Sequence, residues 1–152
     1  MPKALKLFAA ETEDMEVLSA ALEGVITSPG EMSYLKSARA FTIMGSRFKW
    51  EEVTESSSDW YRIRSGIYFG DVMGVKVTGI SQDRPTETLE LLSISTHVGQ
   101  DAQTEFCLYF AGGGSLRLKT ECINVTMTDT GDAWTTEFKP QHDGAPTPNE
   151  KS

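Results

Sequence analysis

The sequence predicts an α+β protein, mainly an antiparallel β meander in a bent or partly closed sheet, with one helix near each end. Three observations predict it. Between Thr12 and Gly24, apolar residues recur at helical spacing, with Met15, Leu18 and Leu22 on one stripe. After Gly24 the period changes to two, and longer alternating segments run from Ala40 to Trp50, Tyr61 to Phe69, Val72 to Ile80, Leu89 to Val98, Glu105 to Ala111 and Ser115 to Thr120. Within Glu121 to Asp129, Ile123, Val125 and Met127 alternate like a strand, yet Ile123 and Met127 also sit one helical turn apart and Gly131 can close a helix, so of the two readings a second short helix is favoured there.

The remaining elements follow in order. Leu5, Leu7 and Ala9 alternate with Lys6 and Phe8 as a first strand, and Thr12 is placed to cap the first helix with Glu13 and Asp14 in its opening turn. Val25 to Thr27 and Met32 to Leu35 read as two short strands joined tightly through Ser28-Pro29-Gly30. Phe41 and Ile43 lie in one phase and Phe48 and Trp50 in the other, so a bulge near Gly45-Ser46 would keep all four on one face. Tyr61, Ile63, Ile67 and Phe69 hold a single phase that only Ser65 interrupts, which marks a strand with one buried face. Phe106, Leu108 and Phe110, then Gly112-Gly113-Gly114, then Leu116 and Leu118 spell a hairpin. A pleckstrin-homology-like arrangement is one drawing of this order of elements. One domain is expected over residues 1–143, with 144–152 as a flexible tail of proline, glycine and charge.

A chain of 152 residues buries enough surface to be stable without metal or disulfide. The run from Ala4 to Ala10 is broken by Lys6 and followed by acidic residues, so no cleavable leader is read, and Cys107 and Cys122 are expected as reduced thiols of a cytoplasmic protein. No apolar stretch reaches membrane-spanning length. Twenty-two acidic against 14 basic residues give a net charge of −8, which repels phosphate backbones and argues against nucleic acid as a partner.

The candidate chemistries reduce to structural readings. Asp129-Thr130-Gly131 is the aspartic-protease tripeptide, but it lacks the apolar lead-in and reads as a helix end. The triple glycine leads into a strand and carries no Gly-Lys-Ser/Thr, so it is a turn. Cys107, Cys122, His97 and His142 stand apart without the close pairs of a metal site, and Cys107 sits in a buried strand pattern as an inert thiol. No catalytic residue, metal ligand or cofactor is therefore assigned.

One constellation remains as a binding surface. If the strands around Phe48 and Arg62 pair so that Trp50 opposes Trp60, then Trp50, Trp60, Phe48, Arg62 and Arg64 share a face, whereas a slipped register opposes Lys49 to Arg62. Such a cation–aromatic platform suits an anionic ligand or an acidic partner. The competing reading is that the rings pack and the arginine stems cover them.

Leu5-Lys6-Leu7, Met32-Ser33-Tyr34-Leu35, Arg47-Phe48-Lys49-Trp50-Glu51 and Phe110-Ala111-Gly112-Gly113-Gly114, with the closing Trp134 and Lys139-Pro140-Gln141-His142-Asp143, resemble an uncharacterised alphaproteobacterial domain-of-unknown-function family over residues 5–143. Genes of that family often lie near that for histidinol dehydrogenase. The resemblance implies a bacterial cytoplasmic, accessory role and brings no site residues. The expected function is a non-enzymatic interaction module with an unidentified protein partner. The alternative is a binder of, or an enzyme acting on, a small anionic metabolite. Self-association is left open.

Overall fold

The structure is a computed structural model that describes residues 5–53, 59–136 and 139–140. Helix α1 (Thr12–Leu22) buries Met15, Leu18 and Leu22. Its start lies just upstream of the expected Thr12, because Asp14 Oδ2 accepts hydrogen bonds from the Ala10 and Glu11 amides at 3.0 Å each.

The strands join in one open antiparallel sheet, in the order β1 (Lys6–Ala9), β10 (Val125–Thr136), β5 (Trp60–Phe69), β4 (Ala40–Phe48), β2 (Ile26–Thr27), β7 (Leu89–Val98), β8 (Thr104–Phe110), β9 (Ser115–Thr120) and β6 (Val72–Thr78). Strand β3 (Met32–Leu35) lies off this path and pairs with β4. Two-residue β2 links the two halves. Their inward faces meet in one apolar cluster: Phe41, Ile43, Ile67, Phe69, Val125 and Met127 from one side, Leu91, Phe106, Leu108, Leu116 and Leu118 from the other. The rings of Phe69 and Phe106 lie 5.3 Å apart. Each such side chain contributes about 1.5–3 kcal/mol by leaving water, which makes this cluster the main source of stability.

Several expectations hold. The predicted first helix, the phase of β5 with Ser65 buried in it, and the glycine hairpin, in which Tyr109 opposes Ser115, are all present. Others are corrected. The segment expected as a second helix is strand β10, so among the described residues the only α-helix is α1. Val125, Met127 and Asp129 each alternate inward there, paired on both sides by β1 and β5, and those ladders outweigh the weak helical spacing of Ile123 and Met127. Gly131 (φ +74°) serves a bulge between Thr130 and Trp134, not a helix cap. No bulge interrupts Gly45-Ser46: Phe41 to Phe48 pair continuously with Phe69 to Arg62, and Phe48 points away from Phe41 and Ile43. Strands β2 and β3 do not pair with each other but run in succession along one edge of β4. The meander is also broken, since β10 lies between β1 and β5, and β6 pairs with β9. Because β1 and β6 end the path, the sheet stays open, not partly closed. The expected tail, 144–152, lies outside the described residues. Pro140 is buried, with its ring 2.8 Å from where a side chain on Gly24 would begin.

Candidate functional site

Phe48 stands opposite Arg62 as expected, but Trp50 leaves the strand in the turn Trp50–Glu52 and is not paired with Trp60, and Trp50 and Arg62 are engaged within the fold. Arg62 donates to the Ser46 carbonyl at 2.9 Å, the Ser46 hydroxyl at 3.3 Å and the Gly24 carbonyl at 3.2 Å. Trp50 Nε1 donates to the Glu23 carbonyl at 3.0 Å, and its ring meets Phe48 edge-on at 4.7 Å. Trp50 and Arg62 thus satisfy carbonyls that follow α1, where chain ends leave acceptors without partners. Burial holds the Arg62 pKa below its usual value, against the opposing pull of Glu90. Arg64 lies on the surface and pairs with Glu31 at 2.6 Å. Trp60 stands opposite Thr136, two pairs along from Trp134 opposite Arg62.

A second cluster was not anticipated. Because β4 has no bulge, its inward phase runs Phe41, Ile43, Gly45, Arg47 and delivers Arg47 into the interior. There its Nε and Nη2 donate to the two carboxylate oxygens of Asp129 at 2.9 and 2.7 Å, and Nη1 and Nη2 donate to Glu51 at 2.9 and 2.8 Å. Nη1 also reaches the Phe48 carbonyl at 3.3 Å, so every guanidinium donor is used. Asp129 further accepts from the Ser65 hydroxyl at 2.6 Å and the Leu5 amide at 2.8 Å. The side chains of Arg47 and Asp129 are 0% exposed and that of Glu51 is 30% exposed, with Lys49 Nζ 3.3 Å from Glu51.

Burial opposes the charge on Arg47, yet the hydrogen bonds to Glu51 and Asp129 outweigh it and hold its pKa above the usual value. Burial likewise pushes Asp129 and Glu51 up, but donors from Arg47, joined at Asp129 by Ser65 and the Leu5 amide, hold both carboxyls below their ordinary range. With all partners satisfied internally, the network seals one end of the core and ties Leu5 to β10. The signal was present in the sequence: Arg47, Ser65 and Asp129 are each the polar interruption of an apolar phase.

An apolar cleft opens at the other end. Beyond β2, the turn Pro29–Glu31 steps the chain out, so among the described residues β3 keeps β4 as its only sheet neighbour while β6 ends the sheet. Met32 and Tyr34 of β3, Phe41, Val75 and Val77 of β6, and Leu116 line a cleft of about 490 Å³, with Ile80, Gln82 and Pro85 at its margin. Backbone hydrogen bonds bridge both flanks, Val72 N to Arg39 O and Gly30 N to Pro85 O, each 2.8 Å.

Cys107 is buried. Cys122 donates to Asp71 at 3.4 Å, and burial followed by that carboxylate pushes its thiol pKa up, which lowers the thiolate fraction. Among the described residues no group of three His, Cys, Asp or Glu side chains is arranged to hold a metal ion, and no helix is long and apolar enough to cross a membrane.

Among the described residues, a ten-stranded open antiparallel sheet, one α-helix and a core sealed by charge at one end and cleft at the other define an α+β protein of mainly antiparallel type. The chain belongs to the family described as Protein of unknown function (DUF2948), which it matches over residues 5–142. No curated protein and no solved structure matches it significantly.

Proposed function

We propose that this chain is a non-catalytic binding module and that its ligand seat is the cleft between β3 and β6. One observation carries the reading: an apolar space of about 490 Å³, within the roughly 300–1,000 Å³ typical of ligand sites, is left open between two strand edges. Apolar lining favours an apolar ligand, and Tyr34 and Gln82 supply polar groups that can orient one polar substituent. The bridged flanks favour a compact small molecule over a through-running protein strand. An accessory role in the bacterial cytoplasm, near the reactions of histidinol dehydrogenase, belongs to the same proposal through the sequence resemblance. The competing reading places a small anionic metabolite on Trp50, Trp60, Arg62 and Arg64. Arg64, with its side chain 44% exposed, is the member best able to reach one.

A thermal-shift series tests these readings, using branched-aliphatic and aromatic small molecules in one arm and phosphorylated metabolites in the other. An apolar ligand at a hundred times its dissociation constant adds about 2.7 kcal/mol to stability. Val77→Trp, at a position 38% exposed on the cleft wall, should fill the seat and erase that shift while leaving the fold intact. An unchanged shift in Val77→Trp, or no response to any apolar compound, would overturn the cleft as the seat.

A further inference from the structure

We infer that the outer face of β6 and β9 carries an anion-binding site made by Lys76, Arg117 and Lys119, suited to a small phosphate monoester that bears hydroxyl groups. Its charged groups are separate from the cleft, since Val77, Leu116 and Leu118 alternate inward while these three cations alternate outward, with Val75 bordering both spaces.

The register brings the charges together. Lys76 stands directly opposite Arg117, and Lys119 stands opposite Gly74 on one side and Glu105 on the other. Like charges directly opposed on an antiparallel pair destabilise it, so a purely structural face would place a carboxylate at one of the two positions. None is there. Arg39, Arg47, Lys49, Arg64 and Arg84 each lie within ion-pair reach of a carboxylate, whereas among the described residues Lys76, Arg117 and Lys119 have no such partner. In a chain of net charge −8, three neighbouring cations with Glu105 as the one carboxylate among them form a local positive field that an anion would relieve.

The space suits a small ligand. Gly74, Val75, Lys76, Glu105, Arg117 and Lys119 line a shallow cup of about 320 Å³. A side chain added at Gly74 would meet nothing within 4 Å, so the ground in front of Lys119 is open. Strands lie about 4.8 Å apart and alternate residues about 6.8 Å along a strand, so the three flexible heads can converge on one tetrahedral oxyanion. Arg117 supplies a two-pronged contact and the lysines supply point charges. Glu105 leaves the cup net positive and offers an acceptor to a hydroxyl beside the phosphate. Three cations on an acidic chain do not extend into the long basic track that a nucleic-acid backbone follows.

Calorimetric titration of the full chain at low ionic strength tests the site, with inorganic phosphate, ribose 5-phosphate and a single-stranded oligonucleotide as probes. Saturable, equimolar binding of ribose 5-phosphate, tighter than that of inorganic phosphate, is expected. Arg117→Gln should weaken it about tenfold, the loss of one strong charge-assisted contact. The triple variant Lys76→Gln, Arg117→Gln, Lys119→Gln should abolish it with a melting temperature equal to or above that of the parent, because opposed like charges are removed. Arg84→Gln, which alters an exposed pair with Glu87, should bind as the parent does. Should the triple variant fold poorly, the Arg117→Gln and Lys119→Gln single variants give the same reading. Undiminished binding in the substituted chains, absence of saturation in the parent, or an affinity for oligonucleotide that rises with its length would overturn the proposal. Val77→Trp separates it from the cleft, since filling the cleft should leave phosphate binding unchanged.

Discussion

The two ends of the inward face of β4 invert the usual arrangement of a protein interior. At the Arg47 end, charged groups are sealed away from water, and at the Phe41 end an apolar surface stays open. The closed end is internally complete, because Arg47 and Asp129 use their hydrogen-bonding capacity on each other, Glu51, Ser65 and the backbone. A buried network of that kind serves the fold. The open end is incomplete: among the described residues β3 has a single neighbour, β6 ends the sheet, and the apolar walls between them have no covering element. A site is better sought where the fold leaves contacts unmade than where its charges are densest.

The sharpest way to break this comparison is to remove one charge from the sealed end. Asp129→Ala would leave the Arg47 guanidinium buried beside an empty space, and a loss of about 3–5 kcal/mol in urea-unfolding free energy is expected. Replacing both partners by apolar residues, Arg47→Met with Asp129→Leu, should restore much of that loss, moderated by the Glu51 carboxyl left behind. A loss under about 1 kcal/mol for Asp129→Ala would mean that the cluster is not structural.

The platform residues give the next effect. Arg62→Glu removes donors to the Ser46 and Gly24 carbonyls and should cost at least about 2 kcal/mol. Arg64→Glu breaks only a surface pair with Glu31 and should cost about 1 kcal/mol or less. Equal losses by thermal unfolding would contradict the distinction between an engaged and an exposed arginine.

The smallest effect concerns pH. The carboxyls of Asp129 and Glu51 are held below their ordinary values in the folded chain, so the stability they add is complete above the unfolded carboxylate range, about 3.9 to 4.3, and fades as pH falls through the folded values. Urea midpoints measured downward from pH 6 should fall below about pH 4, and the fall should be shallower in the Arg47→Met, Asp129→Leu double variant. Identical profiles would place the acid sensitivity elsewhere.

By itself the sequence determined the local elements whose instructions are contained in neighbouring residues: the α1 stripe, the single phase of β5, the glycine hairpin and the pairing of Phe48 with Arg62 that keeps like charges apart. Family membership was legible too, in short strings spread over the chain. Tertiary structure decided what depends on partners distant in sequence. Residues 125–129 satisfy both periods weakly, and two flanking strands distant in sequence, β1 and β5, made them a strand. Ser65 looked like an interruption until Arg47 and Asp129 were brought to it from 18 and 64 residues away. The cleft depended on where β3 and β6 end in the sheet, because an unfilled edge is a property of the assembled sheet and has no signature in any one strand.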